Sequence, residues 1–341
     1  MSIAHQINIA AAQKNIPLSA QLEVTTRCNQ NCYYCYNRPS LLNKAELSLT
    51  QWESVLKDLR DLGCLYLTIT GGEPFLRDDI FELLELARRY RFAVSIISNG
   101  SLIDKAKARL LKDLGIMDVG ISLLAFDEKL HDTLANVSRS YQKALSAIDN
   151  LKSNDVKVLV KHSISTENIG EFKKIQQFCD AQNIGFEYDT MIIPSKSGEV
   201  SIFDLTSYQQ KVLYQDINVS PMKSCKKEDF NNALHCDAGR SVVGIMACGE
   251  VRPCILLPVE IGNINTMTLK EIWHSKAMSS FRIEEESLSD DCNKCTINMF
   301  CSRCHAVAAM ETLSWKSKAP ALCKRAELMA ALFDEKAVVD K

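Results

Sequence analysis

Six short β-like runs alternate with amphipathic stretches of helical period between residues 20 and 190, and this alternation narrows the possible folds most. The strand candidates are LEVTT (22–26), CLYLTIT (64–70), AVSIIS (93–98), MDVGISL (117–123), VKVLVKHSI (156–164) and GFEYDTMII (185–193). Helix candidates lie between them at 48–63, 81–90, 104–115, 140–154 and 168–182, the first with Ser48 or Thr50 as its cap. Strands that alternate with helices run parallel, so the predicted class is α/β, a parallel barrel or an open sheet. In such folds the chemistry gathers at the C-terminal ends of the strands. Cys28, Gly71, Ser98, Ser122 and His162 all fall at such ends or within a residue or two of them.

The pattern stops near residue 194, and from 225 to 323 strands are short, cysteines frequent and periodic helix sparse. This stretch reads as a second, metal-stapled domain, followed by a closing helix in CKRAELMAALFDEKAVVDK. The expected division is an N-terminal extension (1–19), the α/β unit (20–215), the cysteine-rich unit (222–328) and a tail (329–341). The acidic run EEESLSDD (284–291) reads as a solvated face. A net charge of −2 gives no electrostatic argument for nucleic acid or an anionic membrane. No apolar run reaches the roughly eighteen residues of a membrane span. The N-terminus lacks the basic start and apolar core of a signal peptide, so a cytoplasmic location is expected.

Fourteen cysteines in a chain with no export signal point to metal rather than disulfides. Three sit at 28–35, eight at 225–304 and one at 323, while Cys64 and Cys179 stand alone and read as small buried hydrophobes. Cys28, Cys32 and Cys35 share one loop after the first strand, one ligand short of a closed four-coordinate site. Three thiolates can hold three irons of a 4Fe–4S cluster and leave the fourth open to a ligand, whereas zinc would want a fourth side chain from elsewhere. GGEP (71–74) ends the second strand. Its glycines free the backbone to approach a ligand, Pro74 stiffens the exit, and Glu73 offers a carboxylate suited to an ammonium group at the mouth.

With these residues the chain resembles the radical S-adenosylmethionine enzymes, whose signature Cys-x-x-x-Cys-x-aromatic-Cys is here Cys28, Cys32, Tyr34 and Cys35. The resemblance spans roughly residues 20–190 and implies a partial (β/α)6 TIM-like barrel with a smaller cysteine-rich iron–sulfur domain. It implies that the three cysteines bind a 4Fe–4S cluster whose open iron takes the methionine amino and carboxylate groups of S-adenosylmethionine. Tyr34 would lie near the adenine, and Gly71, Gly72, Glu73 and Pro74 at the methionine amino group. Ser98 and Asn99 would lie near the ribose, and Ser122 at the cofactor carboxylate. Relatives often carry Arg-Gly after HDxL; here HDTLAN puts Ala135 and Asn136 there, with Arg139 a possible substitute. His131 and His162 read as hydrogen-bonded barrel histidines. The implied chemistry is one-electron cleavage of the sulfonium to methionine and a 5′-deoxyadenosyl radical, which abstracts a substrate hydrogen. An external electron donor such as flavodoxin or ferredoxin is implied with it.

The second half resembles the SPASM domain, a seven-cysteine extension that houses two auxiliary 4Fe–4S clusters. Carried over, Cys236, Cys254 and Cys304 hold the first, with Cys225 as the chosen fourth ligand and Cys248 the alternative. Cys292, Cys295, Cys301 and Cys323 hold the second. FCSRC has two residues between its cysteines where many members have three, a spacing shared with some tetrapyrrole-modifying relatives. GNI and LKEIW resemble that domain's connecting segment, with Trp273 a core residue. An auxiliary cluster can accept the electron left when a substrate radical forms a new bond, so net oxidation is expected.

The resemblance implies a peptide or protein substrate, with or without a separate leader-binding protein. Sulfatase maturation fits less well, because Ile255 follows Cys254 where an acidic base is expected. The alternatives are action on a small molecule or tetrapyrrole, and a zinc-stapled binding module without chemistry. Asp189 is a weak candidate for substrate contact.

Overall fold

The structure, a computed structural model, describes residues 3–35, 45–190, 205–216, 236–286, 290–301 and 303–339. Six strands, β1 (Ser19–Glu23), β2 (Tyr66–Thr70), β3 (Ala93–Ser98), β4 (Asp118–Ser122), β5 (Val158–Ser163) and β6 (Gly185–Asp189), pair in parallel in sequential order. They form the parallel α/β sheet that the alternation predicts, as the partial barrel that the resemblance implies. Alternate residues of β3 are buried and four of the five in β4 are, as a sheet covered by helices demands.

The covering helices are α2 (Leu49–Asp61), α3 (Ile80–Arg89), α4 (Lys105–Asp113), α5 (Glu128–Ala135), α6 (Ser140–Ser153) and α7 (Phe172–Gln182), preceded by α1 (Ile3–Gln13). Ser48 starts α2 with a reciprocal capping box to Gln51, and Asp104 caps α4 through Lys107 N. Trp52, Val55, Leu56 and Leu59 form the buried stripe of α2, each contributing about 2 kcal/mol of transfer free energy.

β1 begins three residues before the predicted run, and the reason is tertiary. Its Ser19 N–H is taken by Ser241 O at 3.0 Å. Beyond Val24, Thr25 and Thr26 donate instead to the Glu46 carboxylate at 2.8–3.1 Å, which ends the ladder.

The cysteine-rich half continues the same sheet. β7 (Val242–Ile245) adds in parallel to the free edge of β1, with Ser19 opposite Val242, and β8 (Glu250–Arg252) and β9 (Gly262–Asn263) follow antiparallel. More helix is present than the periodicity predicts: α8 (Ser207–Asp216), α9 (Leu269–Trp273), α10 (Lys276–Glu286), α11 (Asp290–Asn293) and α12 (His305–Thr312), while the expected closing helix is α13 (Pro320–Val339). Short helices here are held by contacts rather than period. Met278 and Phe281 of α10 press on bare Gly239, whose φ is +70°. Thr268 and Glu271 form a capping box on α9, and fully buried Trp273 donates its indole N–H to Asn15 O at 2.7 Å. With Asn8 bonded to Asp237 at 3.0 Å, the N-terminal extension is thereby tied to the cysteine-rich half.

Candidate active site

The loop carrying Cys28, Cys32 and Cys35 leaves β1 and is fastened on three sides. Its stem takes Gly72 N–H on Thr25 O and Glu73 N–H on Arg27 O, both at 2.8 Å. Asn29 accepts from Asn99 Nδ2 at 2.9 Å and donates to Ser101 Oγ at 2.7 Å. Asn31 N–H reaches Ala135 O at 3.2 Å, at the end of α5. Cys32 and Tyr34 pack on Leu124, Leu134 and Ala135. The fastening residues Asn29 and Glu46 carry no spacing signal of their own; they are found only once strand ends meet.

The GGEP segment is held differently from the sequence expectation. A Cβ on Gly71 would stand 2.5 Å from Thr25 O, and one on Gly72 2.2 Å from Arg27 O. The glycines are therefore required by the stem of the cysteine loop as well as by any ligand. Glu73 does not present its carboxylate at the mouth. It is 0% exposed and accepts from Ser98 Oγ at 2.9 Å, Asn99 N at 2.9 Å and Phe75 N at 3.2 Å. Burial raises its pKa against the pull of those donors. Buried Pro74 begins a short 3₁₀ turn behind it. Glu73 thus positions the ends of β2 and β3.

A cavity of about 500 Å³ opens at the C-terminal strand ends and brings the sequence candidates together. Cys28, Cys32, Cys35 and Tyr34 line one side; Gly71, Gly72, Ser98, Asn99 and Ser122 line another. The remaining wall holds the strand-end His162 and the substrate-contact candidate Asp189, together with Lys161 and Ser163 from β5, Glu187 from β6, and Leu256, which were not legible as site residues. Lys161 ion-pairs with Glu187 directly across the strands, and Ser163 faces Asp189 one step on. Polar residues at period two in an otherwise apolar strand were the available signal. Asn168 braces this wall, donating to Leu124 O at 2.7 Å and Ser163 O at 2.9 Å.

The departure at HDTLAN has a backbone explanation. Asn136 ends α5 at φ +52°, the left-handed position a glycine usually fills and asparagine tolerates. Arg139 is exposed and does not line the cavity.

His131 and His162 are both buried, bonded through Nδ1 to Ser140 Oγ at 3.0 Å and Leu123 O at 2.9 Å. The Leu123 carbonyl fixes the proton of His162 on Nδ1 and leaves Nε2 as a buried acceptor without a protein partner. Burial pushes both pKa values down to about 4. The unfolded chain takes up protons below pH 6.5 that the folded protein refuses until about pH 4, so acidification costs stability. At pH 5 the loss is about 2 kcal/mol per histidine. Urea midpoints at pH 7 and pH 5 check this: the gap narrows in His162→Gln, and an unchanged gap removes the assignment.

The remaining cysteines fall into groups. Cys292, Cys295, Cys301 and Cys323 line a second cavity of about 840 Å³. Burial and then the neighbouring Cys304 raise the Cys254 thiol, and Cys236 packs on the same core. Cys225 lies outside the described residues. Cys248 sits in the β7–β8 turn with its carbonyl held by Asn265, while Cys254 lies against Gly244 at the other end of that hairpin.

This donor set fits iron–sulfur clusters. Burial and then the neighbouring Cys35 and Cys28 push the Cys32 thiol up to about 12, and burial followed by Cys292 and Cys295 raises Cys323. Thiols crowded this way become thiolates together only when a cation neutralises them. Among the described residues no three such side chains converge on one point as a single ion requires. The thiols ring cavities instead, so that each can take a different iron.

Thiolate-only sites at the mouth of a parallel α/β barrel define an iron–sulfur enzyme that binds its co-substrate at the strand ends. The sequence model of the radical SAM superfamily matches residues 22–179, and that of the SPASM iron–sulfur cluster-binding domain matches residues 236–296. The chain belongs to the radical S-adenosylmethionine superfamily and carries a SPASM domain. Its cofactors are S-adenosylmethionine and 4Fe–4S clusters, one for that nucleotide and others auxiliary. It is 28% identical to the antilisterial bacteriocin subtilosin biosynthesis protein AlbA of Bacillus subtilis, over 85% of this chain and 67% of that protein. It is 22% identical to the AdoMet-dependent heme synthase of Methanosarcina barkeri, over 91% and 97% of the two chains. Streptococcus suis SuiB bound to precursor peptide SuiA superimposes with a TM-score of 0.71 at 18% identity, over 94% of this chain and 80% of that one. That last likeness speaks for the fold.

Proposed function

We propose that this enzyme oxidatively modifies a residue in a peptide or protein. Leu256 carries the reading: two residues after Cys254, it forms part of the wall that Cys28 and Tyr34 share. An auxiliary-cluster thiolate therefore stands at the edge of the radical cavity, placed to pass on the electron that substrate oxidation releases. Likeness to AlbA over most of the chain supports a peptide as the substrate.

In the ligand assignment, Cys28, Cys32 and Cys35 hold the radical-generating cluster. Cys236, Cys254 and Cys304 hold the first auxiliary cluster, with Cys225 rather than Cys248 as fourth ligand. Cys292, Cys295, Cys301 and Cys323 hold the second. When bound at the radical-generating cluster, S-adenosylmethionine would supply one-electron radical chemistry. The chain orients it: Gly71 and Gly72 expose backbone, Asn99 and Ser122 line the nucleotide side, and Tyr34 closes the loop side. Lys161 with Glu187, and the Nε2 acceptor of His162, offer polar anchors to the substrate.

The domain limits stay at 20–215 and 222–328, with 1–19 and 329–341 as extension and tail. A flavodoxin- or ferredoxin-class protein delivers electrons, and a separate protein can present the peptide leader. No helix among the described residues is long and apolar enough to cross a membrane. Thiolate clusters need a reducing compartment, so residence is cytoplasmic.

The test is mass spectrometry of a candidate precursor peptide incubated anaerobically with the reconstituted enzyme, S-adenosylmethionine and dithionite. Loss of two hydrogens from the peptide, with one 5′-deoxyadenosine per event, is expected. Turnover of a tetrapyrrole with every peptide inert would favour the second reading, which the heme synthase likeness and the FCSRC spacing support. Zinc without labile sulfide in the anaerobically purified protein would leave only a stapled binding module.

A further inference from the structure

Arg303 stands between two cluster cysteines and lines the cavity that holds Cys292, Cys295, Cys301 and Cys323. Its Nη1 donates to Cys292 Sγ at 3.1 Å. Its Nη2 is gripped by three consecutive main-chain carbonyls, Trp315 O at 3.1 Å, Lys316 O at 3.0 Å and Ser317 O at 2.9 Å. Nε is buried with no partner. The guanidinium is thus fixed by neutral dipoles, with no carboxylate paired to it among the described residues. The other charges on this wall differ: Lys318 and Asp291 pair at 3.5 Å, and these two with Lys294 and Glu327 are exposed, where water screens them.

A fixed cation and an N–H donor on a ligand sulfur stabilise the state with more negative charge on that sulfur. Reduction of a thiolate cluster adds one electron and creates that state, and hydrogen bonds to sulfur are among the levers that set cluster potentials.

We propose that Arg303, cradled by the carbonyls of residues 315–317, raises the reduction potential of the second auxiliary cluster and makes it the electron sink of the pair. This rests on the assignment of Cys292, Cys295, Cys301 and Cys323 as one cluster. A lysine keeps the charge but cannot span both the carbonyl cradle and the sulfur with a planar fork, so it restores only part of the effect.

The experiment is an EPR-monitored redox titration of the anaerobic holoenzyme and its R303K and R303Q variants, with iron and sulfide counted in each. In R303Q the reduction equilibrium constant of one cluster falls at least tenfold, ~59 mV for one electron. R303K shows a smaller fall, and the other clusters keep their potentials. Full iron content with every potential unchanged in both variants overturns the proposal. So does loss of one cluster's iron even in R303K, which makes Arg303 a structural clamp. If R303Q alone loses iron, the R303K potential decides. The cluster assignment is tested separately: a Cys292→Ala, Cys295→Ala double variant that keeps all its iron removes that reading, whatever Arg303 does.

Discussion

Cys32→Ala loses the loop-bound cluster: about one third of the iron is missing, and reductive formation of 5′-deoxyadenosine falls to the level without enzyme. The expectation follows from where Cys32 sits. It packs on the β4–α5 side of the loop, between Cys28 and Cys35, and its thiol is the one that burial and those two neighbours push up to about 12. Beyond Cys28 and Cys35, no cysteine of the described residues lines that cavity to replace it. Cys64→Ala is the control. That thiol is buried beside β2 with its S–H near Leu18 O and Tyr66 O, so its loss costs packing and leaves iron and nucleoside formation intact. Iron and sulfide analysis with chromatography of the nucleoside reads both variants. A Cys32→Ala enzyme with undiminished iron and nucleoside would sink the assignment of the loop.

Gly72→Ala has the next largest effect, because its methyl would meet the Arg27 carbonyl at 2.2 Å. The obstacle is backbone, which cannot swing aside as a side chain would, so either the β2 exit or the cysteine-loop stem must move. Overpacking of this kind costs about 1–3 kcal/mol, and here the strain falls on the bonds from Gly72 to Thr25 and from Glu73 to Arg27. A lowered melting temperature together with impaired cluster loading is expected. Gly170→Ala, where an added Cβ meets nothing within 4 Å, leaves both unchanged. Normal cluster loading in Gly72→Ala would show that the stem does not depend on this close approach.

The legible and the illegible parts of the site differ in kind. Cys28, Cys32, Cys35 and the glycines of GGEP stand close in sequence, so local spacing announces them. Ser98, Asn99 and Ser122 were legible because each ends a strand, and parallel strands deliver their ends to one rim. Glu73 was read as a ligand contact from its type and place; burial and three donors make it a brace. Lys161, Glu187 and Leu256 were not legible, since nothing local tells which face of a strand or loop will close a cavity.

Read alone, the order of residues determined the class of fold, the strand ends that matter and the thiolate chemistry, because periodicity and short-range spacing are local properties of a chain. Tertiary structure alone decided that β7 extends β1, that Cys248 lies at the far end of its hairpin from Cys254, and that Arg303 reaches Cys292. Those facts depend on contacts between segments whose separation in sequence carries no period, and only packing chooses among them.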